Sequence, residues 1–306
     1  MYYFIVNPKS RSKRGTELWG VISDILKQRS ISYKFFVTRY RGHATELARA
    51  LTQKDPTCTL VAVGGDGTVH EVLSGITNID TITFGCIPSG SGNDFVRGMH
   101  LSKDPVKALE AILDPEYFVS MDLGVVTGQN NDVQRFGVSS GIGYDAGICH
   151  EALASPIKNT LNRFHLGKLT YAVIAAKQIL LYEPCPMEIQ MNGDRHYSYD
   201  RTYLVAAFNQ NVEGGGLMLA PNAVPDDGAL DVIIVEGMSR LKILLLLPLA
   251  FGGLHTHLKG VHIMRCKSVS IRASRKLPIH LDGESGGIHK HLNISLEEKK
   301  LRVITG

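Results

Sequence analysis

A cluster of glycines between an apolar segment and a helical pattern constrains the fold of this chain more than any other feature. Residues 61–63 are apolar, residues 64–67 read Gly-Gly-Asp-Gly, and residues 69–73 have helical spacing. Glycine permits positive φ and a close approach of a ligand to the backbone. The helix start that follows offers N–H groups and a partial positive charge, which favour phosphate. On the glycines alone, a tight strand-to-helix turn without a ligand explains the stretch equally well.

Strand-like and helical segments alternate through the N-terminal part of the chain. Apolar segments at 2–6, 33–37, 59–63 and 82–87 are separated by helical patterns at 17–27, 43–51 and 69–73. This alternation predicts βαβ units, and therefore a parallel sheet with helices on both faces. Ligands of such sheets bind at the carboxyl ends of the strands, which is where the glycine turn lies.

Two further loops follow strands of the same predicted sheet. Residues 7–11 read Asn-Pro-Lys-Ser-Arg after the first strand, and residues 88–97 read PSGSGNDFVR after the fourth. Carboxyl ends of parallel strands meet at one edge, so these loops and the glycine turn should lie together. Three such loops predict a cradle for a polyphosphate.

The pattern changes near residues 121–124, after which short β-rich segments dominate. They lie at 135–139, 187–191, 203–208, 230–235, 269–271, 279–281 and 301–304, with helical patterns at 166–181 and 241–251. We predict an α/β N-terminal domain with a parallel sheet at 1–123 and a mainly antiparallel β-sandwich domain at 124–306. The active site is expected in the cleft between them, with about the last 15 residues able to pack back on the first domain.

Charge and cysteine content narrow the class of protein. The net charge is +4 and aromatic residues make up 7%, which is too weakly basic for a dedicated nucleic-acid binder. Five cysteines without a Cys-x-x-Cys pair fit a reducing compartment. No apolar stretch approaches the ~20 residues that span a bilayer, and residues 241–251 are interpreted as a core helix rather than a membrane anchor. We expect a cytoplasmic protein, with peripheral contact at the inner membrane face and oligomerisation left open.

The three loops resemble the catalytic signature of the diacylglycerol kinase superfamily, which includes bacterial soluble lipid kinases and sphingosine kinases. That signature reads NPxSG, GGDGTxNE and GTxNDFAR. Later motifs follow in the family's order: GIGYDA at 141–146, Asn209 with Gly214–Gly216, PNAVPDDGALD at 221–231 and DGE at 282–284. The chain departs from the pattern with Arg11 for glycine, His70 for asparagine and Ser91 for threonine.

The resemblance implies that ATP is the phosphoryl donor, accompanied by Mg²⁺, and that a lipid alcohol is the acceptor. It also implies that the three loops and the segment after the second strand contact the nucleotide. These contacts come from Asn7, Pro8, Lys9, Ser10, Arg11, Thr38, Gly64, Gly65, Asp66, Gly67, Thr68, Val69, His70, Glu71, Ser91, Asn93 and Asp94. Lys9 and Arg11, with the neighbouring basic residues 13 and 14, suit phosphate, an anionic membrane or a solvated loop face equally.

Carboxylates supply the expected chemistry. Asp66, Asp94 and Asp122 lie at or near predicted strand ends. Each of them alone suits a helix cap or a turn. Because they lie together beside glycine loops, a shared role in metal binding is favoured. The resemblance implies that they join a water-mediated network to Mg²⁺, reached in particular by Asp94 and Asp122. It further implies a structural Mg²⁺ at Asp227 with the carbonyls of Val224 and Ala229. Catalysis is expected from Glu284 as the general base, with Asp282 and Asp66.

The sequence therefore predicts an ATP-dependent lipid kinase acting on a hydroxyl of a diacylglycerol-like or long-chain-base lipid. An NAD kinase is the alternative enzyme, because that family shares the GGDG loop, although residues 89–98 follow the lipid-kinase pattern. A regulator that binds nucleotide or lipid without turnover is the alternative from another class. The retained carboxylates, which a pure binder would not need, count against it.

Overall fold

The computed structural model describes residues 1–128, 133–154, 174, 177–179 and 181–306, with the side chains of residues 11–14 and 152–154 left out. Most of the helix predicted at 166–181 lies outside the described residues, as does the side chain of Arg11. The described residues build two sheets, with helices on both faces of the first.

The first sheet is formed mainly by the N-terminal part of the chain. Its strands are β1 (Tyr2–Val6), β2 (Tyr33–Val37), β3 (Thr59–Gly64), β4 (Thr83–Pro88), β5 (Phe118–Met121) and the C-terminal β15 (Leu301–Ile304). They lie in the order β2-β1-β3-β4-β15-β5. The pairs from β2 to β15 are parallel, and β5 is antiparallel to β15. The predicted parallel sheet is therefore confirmed.

Helices cover both faces because the sheet strands are apolar on both sides. These helices are α1 (Ser10–Gln28), α2 (His43–Lys54), α3 (Asp66–Gly75), α4 (Asp94–Gly98) and α5 (Pro105–Leu113). In β1, Phe4 and Val6 pack with α1 and α5, whereas Tyr3 and Ile5 pack with α2, α3 and α4. Alternate strand residues point to opposite faces, so one strand serves two cores.

The second sheet is antiparallel and carries the larger apolar core. Its elements are β6 (Gly124–Thr127), β7 (Val133–Phe136), β8 (Ser139–Gly143), α6 (Tyr144–Ala154), β9 (Cys185–Met191), β10 (Arg195–Phe208), β11 (Leu230–Glu236), α7 (Arg240–Ala250), a 3₁₀ helix (Leu254–His257), β12 (Val261–Cys266), β13 (Ser268–Leu281) and β14 (Glu284–Leu296). The path runs β12-β11-β10-β8-β13-β14-β6-β7, and β9 pairs with both β10 and β13. This antiparallel, sandwich-like architecture agrees with the prediction.

Several predicted segments differ in detail from the observed strands. The segment predicted at 135–139 is divided between β7 and β8, and the segments at 269–271 and 279–281 belong to one strand, β13. The register of β13 against β14 is interrupted between Arg272 and Leu277, where the residues between are mostly polar and exposed. That polar stretch resembles a turn in sequence, but the backbone continues as a strand.

The chain passes between the two sheets at two adjacent points. It leaves the first sheet after β5, at Asp122 and Leu123, and returns between β14 and β15. The N–H of Glu297 donates to the carbonyl of Leu123 at 2.8 Å, which joins the outgoing and returning segments. The N–H of Asp122 also donates to the carbonyl of Pro225 at 2.7 Å, so a loop of the second sheet rests on the same junction.

Candidate active site

The loops after β1, β3 and β4 contact one another at the carboxyl edge of the first sheet. Asn7 Nδ2 donates to Thr68 Oγ1 at 2.9 Å, and Ser89 Oγ donates to Ser10 Oγ at 2.7 Å. A Cβ on Gly90 would lie 2.7 Å from the Cα of Gly65, so the two glycine loops approach too closely for a side chain. The three predicted loops therefore form one surface, with the N-termini of α3 and α4 beside it.

Asp66 joins the loop after β3 to the loop after β4. Its Oδ2 accepts the N–H of Asn93 at 2.8 Å, and its Oδ1 accepts the N–H groups of Asp94 at 2.6 Å and Phe95 at 3.3 Å. The carboxylate thus caps the start of α4 across the loop contact. Burial raises the pKa of Asp66, although these three N–H donors act in the opposite direction.

Asp94, in the loop after β4, faces the second sheet. Its Oδ1 accepts the N–H of Gly215 at 2.8 Å. Burial, followed by the nearby charge of Asp66, raises the pKa of Asp94 to about 7. Two buried carboxylates at one loop contact repel each other, and a pKa displaced in this way in a cleft is typical of a functional site.

Glu284 enters the cleft from the second sheet, at the first position of β14. A Cβ on Gly67 would lie 2.7 Å from Glu284 Oε1, so the carboxylate packs directly on the glycine turn. Its Oε2 accepts a hydrogen bond from Arg41 Nη2 at 2.8 Å. Arg41 lies in the loop between β2 and α2, so both domains hold this predicted base. Arg41 was not among the residues singled out from the sequence.

Asp282 is fixed by four partners. Its Oδ1 accepts the N–H groups of Val138 at 2.7 Å and Ser139 at 3.2 Å, and its Oδ2 accepts that of Gly137 at 3.1 Å. His70 Nδ1 lies 3.0 Å from Asp282 Oδ2. A carboxylate with this many partners is suited to positioning the β13–β14 turn, and His70 of α3 reaches that turn across the cleft.

A cluster of buried ionisable side chains beside the cleft was missed by sequence reasoning. His280 is fully buried between Asp145, with Nε2 to Oδ2 at 3.1 Å, and Glu213, with Nδ1 to Oε1 at 3.4 Å. Burial by itself lowers the pKa of His280, but the carboxylates outweigh it and raise the pKa to about 9. Burial raises the pKa of Glu213. The three residues are distant in sequence, so only the fold brings them together.

Some of the remaining residues predicted to contact the nucleotide are accessible at the loop surface, whereas others are buried or hold the fold together. Pro8 and Thr38 are half-buried, and Lys9 and Ser91 are exposed at the loop surface. The side chain of Val69 is buried in the core of the first domain. Glu71 is engaged elsewhere, because its carboxylate accepts the N–H groups of Gly42 at 2.8 Å and Ala44 at 3.1 Å and so caps α2.

Two carboxylates expected to contact Mg²⁺ already have cationic partners: Asp227 of the predicted structural site and Asp122 of the predicted water-mediated network. Asp227 Oδ2 pairs with Arg265 Nη2, and its Oδ1 accepts the N–H of Ala229 at 3.1 Å. Both carboxylate oxygens of the buried Asp122 lie 3.1 Å from Lys300 Nζ. Lys300 Nζ also donates to the carbonyl of Asp226 at 2.8 Å. This donor set does not fit a divalent ion, because ammonium and guanidinium groups occupy the oxygens. Among the described residues, no cluster of three His, Cys, Asp or Glu side chains could hold a metal.

Comparison with protein families matches both halves of the chain. The diacylglycerol kinase catalytic domain matches residues 1–126, and the YegS C-terminal NAD kinase beta sandwich-like domain matches residues 142–305. A relative from Bacillus subtilis strain 168, a putative lipid kinase YtlR, is 30% identical over 94% of each chain.

Solved structures give the same fold at lower identity. A putative diacylglycerol kinase from Bacillus anthracis strain Sterne superposes with a TM-score of 0.77 at 23% identity, over 100% of this chain and 95% of that one. An NAD kinase from Archaeoglobus fulgidus, in complex with ATP, is more distant, with a TM-score of 0.53 and 11% identity over 100% and 94% of the two chains. Identities this low establish similarity of fold alone.

Proposed function

Because this chain belongs to the diacylglycerol kinase family of lipid kinases, we propose that it transfers the γ-phosphoryl group of ATP to a hydroxyl of a diacylglycerol-like or long-chain-base lipid. In this proposal residues 1–123 bind the nucleotide and residues 124–306 receive the lipid. The reaction takes place where the glycine loops of the first domain meet Glu284 of the second.

The observation that carries the proposal is the contact of Glu284 with the Gly67 turn. Glycine loops and helix N-termini suit the phosphates of a nucleotide. A carboxylate from the other domain, held against such a loop, suits proton transfer from an acceptor bound in the same cleft. Neither feature alone would distinguish a kinase from a nucleotide-binding protein.

Phosphoryl transfer depends mainly on positioning and on neutralising charge. The glycine turn after β3 and the first turn of α3 would present N–H groups to the phosphates, with Asn7 and Ser10 shaping the loop beside them. The N–H groups at the start of α4 are held by Asp66 instead. Mg²⁺ bound with ATP would neutralise phosphate charge, and Asp66 and Asp94 are the residues that would meet it through water. They fit a cation, because the two buried carboxylates repel each other and Asp94 Oδ2 accepts no hydrogen bond from the described residues.

Glu284 acts on the acceptor. The lipid hydroxyl gives its proton to the Glu284 carboxylate while its oxygen bonds to the γ-phosphorus, and the bond from that phosphorus to the β–γ bridging oxygen breaks to release ADP. Arg41 holds Oε2 of Glu284 and leaves Oε1 at the glycine turn. Asp282 and His70 position the β-turn that presents Glu284.

The test is a transfer assay with γ-labelled ATP, Mg²⁺ and separate micellar acceptors: a diacylglycerol, a long-chain base and a monoacylglycerol, with NAD as a soluble acceptor. We expect label in a lipid, and at least ~100-fold slower labelling when Glu284→Gln replaces the parent protein, which excludes a contaminating kinase. Label in NAD instead would support the alternative enzyme. A folded protein that binds ATP but labels no acceptor would support a regulator without turnover.

A further inference from the structure

Helix α7 is apolar on two opposite sides. Ile243, Leu246 and Ala250 are buried against the core of the second domain. The other side presents what we call the α7 apolar face. It consists of Leu241, Leu244 and Leu245 of α7, with Phe251 and Leu254 from the segment that follows the helix, and their exposed fractions are 69%, 40%, 56%, 54% and 60%. The interpretation of residues 241–251 as a core helix is thus correct for one side only.

An exposed row of this kind needs a partner. Leu241, Leu244 and Leu245 follow the i, i+3, i+4 spacing of one helix face, so their side chains form a continuous strip rather than scattered contacts. Contiguous apolar patches on soluble proteins generally mark interaction sites or membrane contacts.

The charges around the α7 apolar face indicate an anionic partner. Arg240 and Lys242 are exposed in the first turn of α7, Lys259 is exposed just after the 3₁₀ helix, and residues 240–260 contain no Asp or Glu. Arg240 and Lys242 lie in the first turn of α7, where the positive end of the helix disfavours cations. These two cations therefore do not stabilise the helix. Apolar side chains with a basic margin are typical of surfaces that insert into the headgroup region of anionic lipids.

The α7 apolar face adjoins the cleft. A Cβ on Gly216 would lie 3.9 Å from Cε1 of Phe251, and the neighbouring Gly215 donates to Asp94. The carbonyl of Ala250, at the end of α7, accepts the N–H of Met218 at 2.8 Å, which fixes the helix to the same loop. A surface that binds α7 therefore lies close to the loop that lines the active site.

We propose that the α7 apolar face docks on an anionic bilayer surface and holds the cleft beside the layer in which the acceptor lipid resides. This docking rests on the proposed function only in that the acceptor is a lipid. With 11 residues, α7 lies in the interface, and no described helix is long and apolar enough to cross a bilayer.

The first measurement is binding to vesicles of phosphatidylglycerol and phosphatidylcholine, by flotation. Leu241→Gln/Leu245→Gln removes two side chains of the face while keeping good helix formers. Val21→Gln is the matched control, because Val21 is 51% exposed on α1 of the other domain. We expect the double variant to bind at least ~10-fold more weakly, since each buried leucine contributes more than a tenfold factor, and the control to bind like the parent.

The second measurement separates docking from catalysis. Turnover is compared on vesicle-borne diacylglycerol and on a short-chain diacylglycerol kept below its critical micelle concentration. The double variant should lose turnover on vesicles and keep it on the dispersed acceptor. Equal vesicle binding by the parent protein and the double variant would overturn the docking proposal. So would sedimentation showing that the parent protein is a dimer and the double variant a monomer that binds vesicles as well as the parent. A parent protein that phosphorylates neither acceptor but still floats with vesicles through α7 would contradict the proposed function alone.

Discussion

The ionised form of Asp94 costs the folded protein stability. Burial and the neighbouring Asp66 raise its pKa from 3.8 to about 7, so the free energy of unfolding falls as the pH rises through that interval. The same arrangement makes the carboxylate ready to meet a cation. A residue selected for folding alone would be neutral at this position, which is consistent with a role in binding.

Replacing Asp94 with Asn should therefore stabilise the nucleotide-free protein at pH 8. The asparagine side chain keeps an oxygen for the N–H of Gly215 but removes the buried charge. A shift of three pKa units sets an upper limit of about 4 kcal/mol, and we expect about 1–3 kcal/mol. The gain should shrink as the pH falls toward 5, and turnover should drop. Denaturant unfolding at pH 5 and pH 8 measures this; identical pH profiles for parent and variant would contradict it.

His280 behaves in the opposite sense. Its pKa of about 9 lies above the ordinary 6.5, so its contribution to stability is complete below pH 6.5 and is lost as the pH rises through 9. His280→Gln leaves Asp145 and Glu213 buried without a counter-charge, and we expect a loss of about 3–5 kcal/mol at pH 6.5.

His291→Gln on β14 is the control for His280, because His291 is exposed. It should change the free energy of unfolding by less than about 0.5 kcal/mol. A His280 variant as stable as this control at pH 6.5 would show that the buried histidine is not charged.

At the scale of elements, the β13–β14 hairpin shows where sequence reasoning stopped. Leu281 pairs with Glu284, so the turn consists of Asp282 and Gly283 alone, with φ of 50° and 78°. Asp-Gly is the dipeptide that favours such a two-residue turn. From sequence, a strand is predicted to end at residue 281 and none is predicted beyond it before residue 301, because the segment between, with two glycines and several charged or histidine residues, lacks a strand's apolar alternation. The dipeptide itself was the signal that could have revealed β14.

The loops after β1, β3 and β4 were predictable for the opposite reason. Their glycines and small residues follow apolar strands directly, so local sequence locates them and parallel pairing brings them together. The partners of Asp66 and Asp282 were not readable, because both carboxylates accept N–H groups from segments distant in sequence. Likewise, nothing local in the sequence shows that Lys300 reaches Asp122 or that Arg41 reaches Glu284. Long-range side-chain pairing requires the fold.

Lys300 is expected to stabilise the junction between the sheets in place of a metal. It precedes β15 and contacts the buried Asp122 after β5 and the carbonyl of Asp226. Lys300→Met should cost about 2–4 kcal/mol, because a buried carboxylate loses its counter-charge. Lys299→Met is the control, since Lys299 pairs with the exposed Asp80 and such pairs contribute about 0–1 kcal/mol.

Thermal unfolding in chelator and in millimolar Mg²⁺ distinguishes the two kinds of junction. The Tm of the parent protein should be the same in both solutions once ionic strength is matched. A Tm that rises with Mg²⁺ in the parent protein, but not after Asp227→Asn, would place a structural metal at this site and contradict the interpretation.

At the scale of the molecule, the cleft lies between two sheets, and the chain passes from one sheet to the other twice. The first sheet contributes the loops after β1, β3 and β4 with Asp66 and Asp94, and the second contributes Glu284 on a short hairpin turn. Contacts at 2.8 Å from Gly215 to Asp94 and from Arg41 to Glu284 connect the two sides. Catalysis should therefore be more sensitive to Glu284 than nucleotide binding is.

The most direct test of the account measures kcat and ATP affinity together for Glu284→Gln, with Glu298→Gln, an exposed glutamate, as control. The glutamine side chain keeps the size and hydrogen bonding of the glutamate but cannot accept the hydroxyl proton. We predict that kcat on the lipid acceptor falls by ~10²–10⁴, while the Kd for ATP changes little and the control resembles the parent protein. A Glu284→Gln protein that loses ATP binding yet keeps its kcat at saturating ATP would contradict the account, because Glu284 would then serve the nucleotide rather than the acceptor.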